Sequence, residues 1–419
     1  MAETTPSLKK NIVVLGGSYS GMSVAHYVLK HAIPSLPEKD SYQVVIISSA
    51  SQAMCRPACP RALISDDMFP QEKLFVSIPA QFEQYPKDSF RFVQGSATAV
   101  DHNARTVSIE LKAGEKESIT FHALVIATGA STASPLFGLN RDEVFLKEAW
   151  KEFRPALAKS KRIVIAGGGP TGVETAGELG EYLNGRAGYL NAKLLVPNVS
   201  ITVVTAGSTI LPYLRPSIAK TAEQYLAKVG VDIVTNARVK SVDPPNAGVD
   251  INWLTAGATI TLDDDKTIEA DIFIPAAGLT PNTSFLAKDL LNASRQVTTN
   301  TSTLRVDAAG PRIYAIGDAS SYARPAVHNI LAAVPVLGGN IKRDLLLAAG
   351  KSESDVGADK VFKEDTRETQ LVPIGKSKAV GAAMGWRFPS WVIWLIKGRD
   401  YWLWTTGGLW SGKQWAKEA

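Results

Sequence analysis

The sequence predicts an α/β fold: two Rossmann-like three-layer domains followed by a small α+β C-terminal region. Three observations carry this. A strand, a glycine-rich turn and a helix occur in succession twice, at residues 11–21 (NIVVLGGSYSG) and 162–184 (RIVIAGGGPTGVETAGELGEYLN). Each copy is followed at a distance by a buried strand ending in small residues and glycine, ALVIATGAS at 123–131 and DIFIPAAGLTPN at 271–282. A further strand, RIYAIGDAS at 312–320, ends in Gly317-Asp318. This order nests one nucleotide domain inside the other. The outer domain takes residues 8–143 and 285–350, the inner one 144–284, and 351–419 form the remainder.

In the first copy, Ile12 to Leu15 reads as a buried parallel strand that stops at Gly16-Gly17, with a helix beginning near Ser20-Gly21. Such a turn lets backbone approach a pyrophosphate, and the free N–H groups of the helix N-terminus hold its charge. Gly16, Gly17, Ser18, Tyr19, Ser20 and Gly21 form the candidate cradle, with Ser18 where G-x-G-x-x-G has its middle glycine. A plain structural turn is the alternative reading of this motif taken alone. Met22, Ala25, Val28, Leu29 and Ala32 then share one helix face. The next strand, Tyr42 to Ile47, ends at Ser48 and Ser49. An acid usually stands there to accept ribose hydroxyls, so this is a second departure in the same half-site. Residues 50–61 (ASQAMCRPACPR), with Pro57 and Pro60, are expected to form neither regular helix nor strand. Ala127, Thr128 and Gly129 end the following buried strand. Small residues there permit close backbone approach, as where the chain of a two-domain flavoprotein passes the flavin.

The second copy has all three glycines, Gly167, Gly169 and Gly172, with Pro170 and Thr171 between the last two. Its next strand, Ile201 to Val204, begins about 30 residues on, as a βαβ unit requires. Thr205 to Ser208 at its end offer neither the carboxylate of NADH sites nor the arginine of NADPH sites, so the preference stays open. A helix (Ile218 to Lys228), a strand (Val231 to Val234) and the exit at Gly278 continue the domain. Asp318 at the last strand end can accept flavin ribityl hydroxyls, and the helix start near residue 327 can stabilise negative charge on a reduced flavin. A helix-capping Asp is the alternative.

Bulk properties narrow the partners. A chain of 419 residues with 45% hydrophobic and 20% charged residues accommodates two or three globular domains. A net charge of +5 gives no case for nucleic acid and does not oppose an anionic cofactor or membrane surface. Two cysteines exclude a disulfide framework and fit a reducing compartment. The start, MAETTPSLKK, has no apolar core, which predicts no secretion, and Ala2 stands where N-myristoylation needs glycine. No apolar run reaches the length of a spanning helix, and no metal site is expected. Seven of the nine tryptophans lie beyond residue 385, around WVIWLI (391–396), KGRD and YWLW (401–404). Aromatic clusters flanked by Lys397 and Arg399 suit a membrane interface or the mouth of an apolar tunnel. A dimer contact or a small β-layer core fits equally.

Taken in order, GGSYSG, ATG, GGGPTGVETAGE, AAGLTPN and AIGD resemble the pyridine-nucleotide-dependent flavoprotein oxidoreductases. With LVPIGKSKAVGAAMG and KGRD added, the chain is most similar to the AMID-type apoptosis-inducing-factor homologues. These include ferroptosis suppressor protein and are close to type II NADH dehydrogenases. The resemblance covers nearly the whole chain. It implies non-covalent FAD in the first domain, NADH or NADPH in the second, and electrons passed to a quinone-like or other apolar acceptor. It implies FAD contacts at Gly16 to Gly21, at Arg61 through the pyrophosphate, at Ala97 through backbone beside the adenine, and at Asp318. Gly167 to Gly172 would hold the NAD(P)H pyrophosphate. Glu174 is implied near the nicotinamide and flavin, in positioning or proton delivery, and Lys397 near the active site. A first-turn acid on a helix dipole and a solvated or lipid-facing charge are the plain alternatives. The implied location is cytoplasmic, or peripheral on a mitochondrial or lipid-droplet membrane, and a homodimer is compatible. Three other functions stay open: oxidation or reduction of a specialised fungal metabolite with FAD, a dithiol/disulfide reductase using Cys55 and Cys59, and a non-enzymatic DNA- or protein-interaction role.

Overall fold

The computed structural model describes residues 9–418; the readings made at the extreme N-terminus lie outside these residues. Strand β1 (Lys10–Leu15) buries the apolar run from Ile12 onward and feeds the glycine turn and helix α1 (Tyr19–Tyr27). All nine residues of α1 are buried, so the helix has no exposed face to mark its first turn, and it begins at Tyr19, just before the expected Ser20-Gly21. A π-helical turn at Val28–Ala32 extends it. Strand β2 (Tyr42–Ser48) pairs parallel with β1, from Lys10 opposite Tyr42 to Leu15 opposite Ile47. Strand β3 (Phe90–Asp101) runs parallel to β2 and continues into an antiparallel meander with β4 (Thr106–Leu111) and β5 (Lys116–Thr120). Strand β6 (Ala123–Ile126) returns to the other side of β1.

The chain then crosses to the second domain on β7 (Ala130–Thr132) and helix α2 (Glu143–Leu157), whose first turn is capped by Asp142 accepting from the Phe145 N–H at 2.8 Å. There β8 (Arg162–Ala166), α3 (Pro170–Asn184), β9 (Ser200–Val204), α4 (Pro216–Ala227), β10 (Val231–Val234) and β11 (Ile272–Pro275) build a parallel sheet in the order β10-β9-β8-β11. An antiparallel layer from 239–243, 258–262 and 267–270 packs Ile260 and Leu262 against Val164 and Val204. The return crossing, β12 (Leu279–Pro281), pairs antiparallel with β7. Strand β13 (Ile313–Ala315) completes the seven-stranded sheet β13-β6-β1-β2-β3-β4-β5, and helix α5 (Val327–Ala348) packs on α1. Parallel strands buried on both faces explain why these segments read as continuous apolar runs.

The C-terminal region adds β14 (Gln370–Ile374), β15 (Lys378–Ala383) and a short strand at Trp386–Arg387, laid against α3 and α4, and then helix α6 (Leu403–Trp410). One expectation is corrected. Residues 50–61 are not irregular throughout: Gln52–Met54 is a strand, and Cys59–Ala62 is a helical turn with proline in its first turn, where the missing N–H is not needed. The tryptophan-rich tail, left open between surface and core, divides between the two. Trp410 and Trp415 are buried, whereas Trp386, Trp391 and Trp404 are exposed. The buried part is fastened to α1 and its extension. His26 Nε2 lies 2.8 Å from the Trp410 carbonyl, Lys30 donates to the Gly412 carbonyl, and His31 Nε2 lies 2.8 Å from the Trp415 carbonyl. Neutral His26 therefore donates from Nε2 and accepts at Nδ1 from the Tyr85 hydroxyl at 2.8 Å. No helix among the described residues is long and apolar enough to cross a membrane.

Candidate active site

Both glycine turns have the geometry of a phosphate cradle. The first glycine of each has a left-handed backbone, φ +113° at Gly16 and +137° at Gly167. A Cβ on Gly16 would lie 2.3 Å from the Ala127 carbonyl oxygen, and one on Gly167 2.8 Å from that of Ala276. Each turn thus sits against the exit of its own domain. A Cβ on the last glycine would lie 1.8 Å from the Gly16 oxygen at Gly21, and 2.0 Å from the Gly167 oxygen at Gly172. The helices that follow carry no side-chain cap at Ser18 or Gly169, so their first N–H groups face the turn free of a side-chain acceptor. Cradles that a Cβ would fill, each ending in an uncapped helix, fit one dinucleotide per domain.

The two departures in the first half-site change little in the backbone. Ser18 has φ −126° and ψ −155°, extended like Gly169 at −75° and 179°, so neither position requires glycine. Ser48 lies beside Gly17, as the buried Thr205 lies beside Gly168. Tyr19 joins the cradle through its backbone only. Its hydroxyl donates to Cys55 Sγ at 3.3 Å, and its ring packs 4.8 Å from that of Trp410. Ser20 abuts Gly317, bringing the turn to the end of β13. Gly129 has φ +65° and open space where a Cβ would stand; it is needed for backbone conformation, not for close approach. Gly278, at φ +79°, is its counterpart in the inner domain. Ala97 is half-buried at a bulge between β3 and β4. Pro170 and Thr171 open α3, where proline at N1 costs no hydrogen bond.

Arg61 is not available to a pyrophosphate, and that assignment is corrected. It is buried and forms a two-pronged ion pair with Glu178 of α3, Nε to Oε2 at 2.9 Å and Nη2 to Oε1 at 2.7 Å. It also donates to the carbonyls of Gly375 and Arg399. The arginine beside Asp318 is Arg56, five positions earlier. It donates to the carbonyls of Ala130 at 2.9 Å and Phe137 at 3.2 Å, and its Nη1 lies 3.7 Å from Asp318. Burial raises the Asp318 carboxyl above its usual range, against the opposing pull of Arg56. Behind Asp318, α5 begins without a side-chain cap.

Glu174 and Lys397 are brought together. Both are buried, and the Lys397 ammonium donates to Glu174 Oε1 and, at 2.9 Å, to the Leu371 carbonyl. Glu174 sits in the first turns of α3, directly behind the second cradle. Burial pushes its carboxyl up to about 7, while Lys397 pulls it down. The ammonium also lies 4.9 Å from the Trp402 ring centre. Lys397 is therefore neither solvated nor lipid-facing. Next to this pair, Cys55 and Cys59 are free and buried. Burial raises both thiols, that of Cys55 to about 11. A disulfide reductase needs an accessible thiolate, so their environment opposes that alternative.

Comparison with known proteins agrees with this architecture. Residues 10–335 match the family model described as pyridine nucleotide-disulphide oxidoreductase. The chain is 62% identical over 417 residues to "Oxidoreductase phnG" of Penicillium herquei, covering all of both chains. It is 22% identical over 403 residues to "Ferroptosis suppressor protein 1" of Xenopus laevis, covering 93% of this chain and 92% of that one. In fold it matches the structure of NDH2 from Plasmodium falciparum in complex with NADH, with a TM-score of 0.64 at 15% identity, over 98% of this chain and 100% of the other.

Proposed function

Because the chain belongs to the pyridine nucleotide-disulphide oxidoreductase family and is an FAD- and NAD(P)H-dependent oxidoreductase, we propose that it passes electrons from NAD(P)H to a quinone-like apolar acceptor, in the manner of the AMID-type enzymes. The observation that carries this reading is the buried Glu174–Lys397 pair behind the second cradle, next to thiols that are closed off. When bound, FAD supplies the two-electron chemistry, taking hydride from the nicotinamide and yielding electrons to the acceptor. The protein's part is to hold, orient and protonate. Gly16 to Gly21 and the N–H groups of α1 hold the FAD pyrophosphate, and Gly167 to Gly172 with α3 hold that of NAD(P)H. Asp318, steadied by Arg56, accepts hydroxyls of the flavin's chain, and the free start of α5 stabilises negative charge beyond it. A reduced quinone needs protons. A carboxyl with a proton affinity near neutral, whose Oε1 is held by an ammonium, is suited to deliver them from its other oxygen.

Trp386, Trp391, Leu395 and Trp404 are exposed in the C-terminal region, as are Lys376, Lys378 and Arg399, and such a set suits a peripheral membrane contact. Liposome flotation tests this, and a Trp391→Ser/Trp404→Ser variant that floats like the parent removes it. A second reading, a specialised fungal metabolite as the acceptor or donor, is favoured by the full-length similarity to the Penicillium herquei oxidoreductase. Anaerobic reduction of the flavin followed by addition of a short-chain quinone separates the two. The quinone reading predicts rapid reoxidation, slowed about a hundredfold in Glu174→Gln. Flavin that stays reduced with quinone present contradicts it.

A further inference from the structure

We propose that Tyr401 is a positioning residue for the Glu174–Lys397 pair, acting through Glu178; this rests on the reading of that pair given above. Tyr401 is fully buried at the point where the C-terminal segment meets both nucleotide domains. Its N–H donates to the Lys397 carbonyl at 2.6 Å, and its own carbonyl accepts from the Cys55 thiol at 3.3 Å. Its hydroxyl donates to Glu178 Oε1 at 3.0 Å. Its ring centre lies 4.8 Å from the Arg61 guanidinium carbon and 5.5 Å from the Lys397 ammonium. One side chain thus lies against both cations of a cluster of two acids and two bases.

The backbone supports a role beyond filling space. Tyr401 and Trp402 have φ of 52° and 68°, two successive non-glycine residues in the left-handed region. Such a conformation persists only where surrounding contacts over-determine it. Here it lets one residue turn its hydroxyl to α3 and its N–H back to Lys397. A residue needed only for packing would not require the hydroxyl, whose acceptor is a buried carboxylate four positions along α3 from Glu174, on the same helix face.

The charges around Glu174 give the direction of the effect. Lys397 and Tyr401 face it from the C-terminal segment, Arg61 from the 56–62 turn, and Glu178 from its own helix. Lys397 and Asp400 both act on the neighbouring Cys55. The charge of Glu178 opposes ionisation of Glu174. The Tyr401 hydroxyl and the Arg61 guanidinium share Glu178 Oε1 and attenuate that charge. Without the hydroxyl, Glu174 should hold its proton more tightly; with Glu178 neutral, less tightly.

The test is a pH titration of the protonated Glu174 carboxyl by infrared difference spectroscopy on the full-length, FAD-loaded protein, with Glu174→Gln identifying the band. Tyr401→Phe is expected to raise the midpoint, and Glu178→Gln to lower it, each by about half a unit or more. Packing damage that admits water would lower both. Shifts in opposite directions therefore support the proposal, and equal midpoints or a common downward shift overturn it. Should Tyr401→Phe not fold, Glu178→Gln decides: an unchanged or raised midpoint overturns the proposal. The readout needs no turnover. A protein that shows these shifts but reduces no quinone refutes the proposed acceptor and leaves the positioning role standing.

Discussion

The two glycine turns have nearly the same backbone, yet the helices behind them do different work. In both, the first glycine is left-handed and the last admits no Cβ. Behind the first turn, α1 and its extension reach the C-terminal segment with His26, Lys30 and His31, which bind its carbonyls. Behind the second, α3 reaches the same segment with Glu174, which takes Lys397, and Glu178, which takes the Tyr401 hydroxyl and Arg61. The phosphate cradle is set by a few backbone contacts and is repeated. What lies behind it is set by side chains and is free to differ: a latch in one domain, a charged cluster in the other.

The largest effect should come from breaking each cradle separately. Gly21→Ala places a methyl against the Gly16 oxygen and Gly172→Ala places one against the Gly167 oxygen, backbone atoms that cannot move cheaply. The first variant should purify without flavin, its FAD affinity down about a hundredfold. The second should stay yellow while its KM for NAD(P)H rises by a similar factor. Flavin loss in both, measured by absorbance, would show that the cradles are not independent.

The next effect belongs to the latch. Burial lowers the His26 imidazole to about 4, so the folded state keeps it neutral while the unfolded chain takes up a proton below about 6.5. Stability is then complete above about 6.5 and falls as the pH drops through 4, by on the order of 2–3 kcal/mol. His122, also lowered to about 4 by burial and by Arg312, adds to the same window. Urea denaturation between pH 7 and 4 should show the loss, and His26→Gln should flatten part of it. An unaltered slope in the variant would remove His26 as its source.

A smaller change tests the strand ends. Thr205→Glu puts a carboxylate where the ribose of NAD(P)H is read, and should lower kcat/KM with NADPH about tenfold while sparing NADH. Equal losses with both coenzymes would mean that Thr205 does not face the ribose. The smallest effect is expected at Ser18. Its backbone is extended, so Ser18→Gly should change FAD affinity by no more than about twofold. A larger loss would make the hydroxyl a specific ligand.

The fold was legible because the cradle is a local device. Strand, turn, helix and exit are contiguous, and their glycines are demanded by backbone contacts that the chain itself makes. The site was less legible where side chains choose partners far away. RPACPR contains two arginines, and nothing in its spacing says which faces Asp318. The 3₁₀ turn at Arg56–Ala58 and the helical turn at Cys59–Ala62 send Arg56 toward Asp318 and Arg61 toward Glu178. The Glu174–Lys397 contact joins residues 223 positions apart and was approached only through resemblance. The tail stayed open between surface and core because burial of Trp410 and Trp415 depends on carbonyl acceptors, which every residue has and no motif displays.

With a nucleotide in each cradle, hydride should pass from NAD(P)H to FAD. Anaerobic titration of the purified protein with NADH and with NADPH, followed by visible absorbance, tests it most directly. The protein should be yellow, and its flavin band should bleach on addition of at least one of them. A colourless protein that added FAD does not restore, or a flavin that neither nucleotide bleaches, would contradict it.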